Sequence, residues 1–235
     1  MLLAELEIWH SRPIAPTRRV ALGRRLLPTD PPPGFGGILL GGIVASHLDQ
    51  LDPDLVGELD RLISDLERGH RIPQPRLRHR FQTDRIGLSR SRHRLLGVGD
   101  TLEFEFDEGG AAASQILGAV YAAGRLDVVT RSPVMDALRR AIRWNGPVGP
   151  ALVAHLTGAP RGSRPLPALA LAHPEAWALG VLGFRGDNGG PPERGEVQRR
   201  FRALVRAAHP DHGGEEEAAA SRINDLTEAR RILLT

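Results

Sequence analysis

The sequence predicts an α+β domain followed by an all-α pair of helices at the C-terminus. Three features carry that expectation. Residues 4–8 and 102–106 alternate apolar and charged side chains, the period of half-buried strands. Longer stretches set apolar residues at helical spacing between glycine and proline stops. The run 159–167 is rich in Pro, Gly and Ser, has no apolar period, and reads as a boundary. The expected division is 1–158 for the α+β domain, 159–173 for a linker and 174–235 for the helical part.

The elements follow in order. The alternation of Ala4, Glu5, Leu6, Glu7 and Ile8 gives the first strand, and 18–27 a second. Residues 28–33 hold Pro28, Pro31, Pro32 and Pro33 and form a loop. Next come Gly34, Gly36, Gly37, Gly41 and Gly42 around an apolar run. No Gly-Lys-Ser/Thr follows, so close packing of a buried segment is expected rather than a phosphate loop. Asp52 and Pro53 suit the cap and first position of a helix with Leu55, Leu59, Leu62, Ile63 and Leu66 on one face. Gly69 ends it.

A strand at 102–106 is followed by a helix over 112–123 with Gly124 as its stop. Ser132 and Pro133 are read as the start of another helix, which buries Val134, Met135, Leu138 and Ile142 and ends before Gly146-Pro147. A short helix over 150–156 closes the domain at Gly158.

Composition narrows the functional classes. The 235 residues are 41% hydrophobic and 25% charged, ordinary for a globular protein able to bury a sizeable core. With no cysteine there is neither a disulfide frame nor a thiolate zinc site. All basic side chains are Arg, and the net charge is only +3, too small an excess to imply nucleic acid by itself. The N-terminus lacks a signal-peptide pattern, and the longest apolar run, 35–45, is too short to span a bilayer. A cytoplasmic protein without a membrane partner is expected.

No motif joins a nucleophile to a base, and neither Gly-x-Ser-x-Gly nor His-Glu-x-x-His occurs. Glu103, Asp127 and Asp136 can be imagined as an acid–base set, but nothing in the sequence brings them together. The expectation is a non-enzyme without metal or cofactor.

The C-terminal part carries the sharpest pattern. Val197, Phe201, Leu204 and Ala208 form an apolar stripe, with Arg199, Arg202 and Arg206 on a different face. Pro210 ends that helix. The tripeptide His209-Pro210-Asp211 forms a rigid polar corner. Glu215, Glu216 and Glu217 suit the positive end of the next helix, which buries Ile223, Leu226 and Leu233 or Leu234.

These residues resemble a J-domain, the Hsp70-activating module of DnaJ-type co-chaperones. Phe201, Arg202 and Leu204 followed by His209-Pro210-Asp211 match its second helix and corner. Ile223, Asn224 and Asp225, then Leu226 and Ile232-Leu233, match its third. Residues 176–184, closing on Leu182-Gly183-Phe184, match its short first helix. Ala203, Arg206 and Ala208 depart from the family pattern, and a Gly/Phe-rich segment is not expected.

The resemblance implies a DnaK-type Hsp70 as partner and stimulation of its ATPase. It implies docking through His209, Pro210, Asp211, Arg199, Arg202, Phe201 and Asn224. The N-terminal domain would then supply specificity for a client protein.

A different reading comes from 68–94, which holds nine Arg with His70, His79 and His93 interleaved. That stretch could form a nucleic-acid or ribosome-associated surface. Against it, Phe81 is its single aromatic, which leaves little for base stacking. The bland alternative is a solvated face neutralised by acidic neighbours.

Overall fold

A computed structural model describes residues 1–12, 18–99, 101–158, 167–184, 192–208 and 216–234. The chain divides into two compact units, Met1–Arg161 and Gly162–Thr235. The first is α+β, as the sequence predicts, and the described part of the second is helical.

The first unit is built on a five-stranded mixed sheet in the order β3-β2-β1-β4-β5. The strands are β1 (Leu2–His10), β2 (Arg19–Leu26), β3 (Arg80–Phe81), β4 (Ser89–Val98) and β5 (Thr101–Phe106). β1 runs antiparallel to β2 and β4, β5 is antiparallel to β4, and the two-residue β3 joins β2 in parallel. On one face β1 presents Ala4, Leu6 and Ile8, all fully buried. The helices that pack on the sheet, α1 (Gly34–His47) and α3 (Ala112–Ala123), cover that face. α2 (Val56–Glu67), α4 (Val128–Ile142) and α5 (Pro150–Leu156) pack outside them.

Two stretches form elements that the sequence reading leaves undefined. The glycine-rich run is buried and closely packed, as expected, and takes the form of the 14-residue helix α1. Its glycines are what bring it so close to its neighbours. A Cβ at Gly41 would lie 2.7 Å from Leu156 of α5, and one at Gly42 would collide with the Phe104 ring of β5. The helix forms despite the cost of glycine because packing on both sides exceeds propensity.

The basic stretch holds the second surprise, the strand β4. Its period of two is carried by Arg90, Arg92 and Arg94 on one side and Ser91, His93 and Leu95 on the other. The inward residues are largely polar, so an apolar-polar alternation does not show.

Smaller corrections concern helix starts. Ser132-Pro133 does not open α4, which begins at Val128 with Asp127 as its cap residue and Pro133 inside. Ser132 instead donates its hydroxyl to Glu67 on α2, 2.7 Å away. Val128 and Val129 in the first turn are exposed, so the proline interrupts the helix near its free end. Asp52 does cap, accepting from the Asp54 amide, but it starts a single 3-10 turn, Pro53–Leu55, before α2. Gly69 closes α2 at φ +77, as expected of a C-terminal glycine.

The described part of the second unit contains α6 (Ala168–Ala172), α7 (Pro174–Val181), α8 (Arg194–Ala207) and α9 (Glu216–Leu234). Ala178, Leu182, Val197, Leu226 and Ala229 form its core, with Trp177, Phe201 and Leu204 packed against it. Most of the expected linker, 159–166, lies outside the described residues. Among the described residues no helix is long and apolar enough to cross a membrane.

Glycine packing gives a direct check on this arrangement. A Cβ at Gly118 of α3 would lie 2.5 Å from Ile8 on β1, whereas one at Gly57 meets nothing within 4 Å. Gly118→Val is expected to destabilise the N-terminal unit by about 1–3 kcal/mol. Gly57→Ala is expected to stabilise it by up to about 1 kcal/mol. Urea denaturation reads both, and a Gly118→Val protein with an unchanged midpoint would contradict the packing of α3 on β1.

Candidate functional site

On α8 the apolar and basic positions separate cleanly. At about 100° per residue, Arg199, Arg202 and Arg206 fall within roughly 60° of one another, opposite Val197, Phe201, Leu204 and Ala208. All three arginines are exposed, while Val197 is fully buried. Among the described residues Arg202 bonds back along its own helix, from Nε to the Gln198 carbonyl at 3.3 Å. Arg206 joins the same exposed basic row. Ala208 packs against the core.

Phe201 sits differently from the arginines. It is half-buried against the core, and the Arg230 guanidinium of α9 lies 4.5 Å from its ring centroid. Its contribution is to hold α8 against α9. Asn224 is exposed on α9. His209, Pro210 and Asp211 lie outside the described residues.

The end of α7 is clamped to α8. Gly183 at φ +71 lets the Phe184 amide reach the Leu179 carbonyl at 2.8 Å and the Gly183 amide reach Gly180 at 3.0 Å, a Schellman closure. Arg200 then donates from Nε to the Leu182 carbonyl and from Nη2 to that of Gly183, at 3.1 and 2.9 Å. Arg200 is therefore engaged in structure, one position along from the exposed Arg199.

The stretch 68–94 has a different fate. Five of its nine arginines meet carboxylates: Arg76 with Asp65, Arg78 with Asp52, Arg90 and Arg92 with Glu7, and Arg94 with Glu5 and Glu105. Its histidines serve the fold as well. His79 is buried and accompanies the Leu77 carbonyl at 2.7 Å. His93 lies at the centre of a polar network that no sequence motif announces.

In that network Gln115 Nε2 donates to the Ser91 hydroxyl at 2.9 Å and to the Gly109 carbonyl. The amide oxygen of Gln115 is thereby left to accept from His93 Nε2, 2.9 Å away. Ser91 spends its own proton on Gly109 at 2.9 Å, so His10 Nε2 donates to Ser91 at 2.8 Å. Ser91 is fully buried with every lone pair and proton engaged, which suits a structural hydroxyl and not a nucleophile.

The imagined acid–base set is not assembled: Glu103 lies on β5, and Asp136 pairs with Arg139 on α4. Among the described residues no three His, Cys, Asp or Glu side chains cluster as metal ligands. The chain matches no protein-family model, no curated protein and no solved structure.

The His93 environment sets a pH dependence. Burial pushes its pKa down to about 4, against the opposing hydrogen bond that His93 donates to Gln115. His47 and His79 are also lowered, by burial first. Each is held neutral in the fold and takes a proton when unfolded, so the unfolded state binds more protons below the ordinary histidine range. Stability is full near neutrality and falls as pH drops from about 6.5 through about 4. The His93 share is about 3 kcal/mol across that window. Urea midpoints at pH 7.5 and 4.5 measure it. His93→Phe should lower the neutral-pH midpoint but flatten the slope, and an undiminished slope would contradict the assignment.

Proposed function

We propose that this protein is a co-chaperone of a DnaK-type Hsp70. The C-terminal unit stimulates the Hsp70 ATPase, and the N-terminal unit supplies specificity for a client. The observation that carries the reading is the exposed row Arg199, Arg202 and Arg206, on the face of α8 opposite its core, leading directly into His209-Pro210-Asp211.

The physical logic is that of a transient encounter. A row of cations on a rigid helix steers an acidic surface at long range, and the polar side chains of His209 and Asp211 add a short-range contact. Such binding is fast and salt-sensitive, and it suits a partner that must be released after each ATPase cycle. Val197 packs the helix that presents the row into the small core with Ala178, Leu182, Leu226 and Ala229. The resemblance to a J-domain gives the corner its role. A nucleic-acid role for 68–94 has less support, because five of its arginines are occupied by carboxylates.

The test is steady-state ATPase of the host Hsp70. The wild-type chain should stimulate hydrolysis, and His209→Gln and Asp211→Asn should each abolish the stimulation. Arg202→Ala should weaken it roughly threefold to tenfold at low salt, the effect of losing about 1 kcal/mol, with a smaller loss at high salt. No stimulation by wild type, or full stimulation by both corner variants, would sink the proposal.

A further inference from the structure

The side of the sheet away from α1 and α3 is laid out in lanes of alternating charge. The central strand β1 contributes an acidic lane, Glu5 and Glu7, which are 4% and 8% exposed. Beside it β4 contributes a basic lane. Arg94 meets Glu5 at 3.2 Å, while Arg92 and Arg90 meet Glu7 at 3.4 and 3.3 Å. β5 contributes a second acidic lane, Glu103 and Glu105, with Glu105 3.2 Å from Arg94. The sheet stops there, on an acidic lane. Glu103 is exposed on it, opposite Leu96.

The backbone of β5 is also poised for another strand. The Gly97 amide donates to the Met1 carbonyl at 2.8 Å, and the Gly97 carbonyl accepts from the Met1 amine at 2.7 Å. Gly97 is thus turned toward β1. By the alternation of an antiparallel ladder, Leu96 and Arg94 face β5 and bond Glu103 and Glu105. Leu102, Phe104 and Phe106 consequently direct their N–H and C=O groups to the open edge. Among the described residues β5 pairs with β4 alone. Phe104 and Phe106 are half-exposed on the helix side of that edge. A groove of about 680 Å³ borders the strand, lined by Arg90, Arg92, Arg94, Phe104, Glu105, Phe106 and Asp107.

We propose that the β5 edge binds an extended segment of a partner protein as a sixth, added strand, with basic residues alternating with apolar ones. Main-chain bonds to Leu102, Phe104 and Phe106 hold it, as in other cases of strand addition. Its basic side chains continue the charge alternation opposite Glu103 and Glu105, and its apolar side chains cover Phe104 and Phe106. A second copy of the chain is disfavoured, because two-fold antiparallel pairing along β5 sets Glu103 and Glu105 against their own kind. An acidic segment meets the same repulsion. The inference concerns the N-terminal unit, and its failure would leave the co-chaperone reading standing.

The test uses the full chain and fluorescent hexapeptides of alternating Arg and Val or alternating Glu and Val. Anisotropy should show the Arg-Val peptide binding at least tenfold more tightly than the Glu-Val peptide, with slower amide exchange at Leu102, Phe104 and Phe106. N-methylation of alternate peptide amides should abolish binding to the unaltered protein, and Glu103→Arg should weaken it at least fivefold. Equal binding of both peptides, no binding of either, or binding that leaves those three amides unprotected would overturn the proposal. So would protection of the same amides by self-association without peptide.

Discussion

Two carboxylates on the central strand constrain the whole N-terminal unit. Glu5 and Glu7 lie on the sheet face away from the packed helices, yet both are buried. A buried carboxylate is costly unless each oxygen finds a donor. The donors come from both neighbouring strands: Arg94 and Arg24 for Glu5, Arg90 and Arg92 for Glu7, with the Arg24 amide at 3.2 Å from Glu7 as well. A one-residue slip of β4 would turn its arginines onto the helices and bring His93 and Ser91 out to the carboxylates. The ion pairs and the buried histidine network therefore enforce the same register. The irregularity in the β1–β2 pairing falls where Arg24 closes over Glu7, so the distortion delivers a donor.

That constraint also gives a physical account of the chain's most conspicuous compositional feature. The arginines of 68–94 look in sequence like a surface in search of an anion. In the fold Arg90, Arg92 and Arg94 have found theirs more than 80 residues away on β1. Arginine suits the task because its planar fork can serve two carboxylates at once, as Arg94 does for Glu5 and Glu105.

The parts legible in the sequence are those where a single period dominates. The alternation at 4–8 and 102–106, the helix at 112–123 and the one at 150–156 stand in the structure close to where periodicity puts them. α1 was hidden because five glycines erase its amphipathic signature, and helix packing on both sides makes it apolar all round. β4 was hidden because its inward residues include Ser91 and His93, polar groups made acceptable by Gln115, a partner 22 residues downstream of His93. The Arg row on α8 was readable because the helix has one buried face and its period is intact. The free edge of β5 was not readable, since strand order depends on pairings that no local pattern encodes.

On the proposed function, α8 presents a docking face for an Hsp70. Amide chemical-shift mapping of the labelled full chain, titrated with ATP-bound host Hsp70, tests it most directly. Shifts or broadening should concentrate at Arg199, Arg202, Arg206 and the residues through Asp211. The amides of β1 and α3 should stay unmoved, as should those of Val197 and Leu226 in the core. Perturbations confined to the N-terminal unit, or none at all at saturating Hsp70, would contradict it.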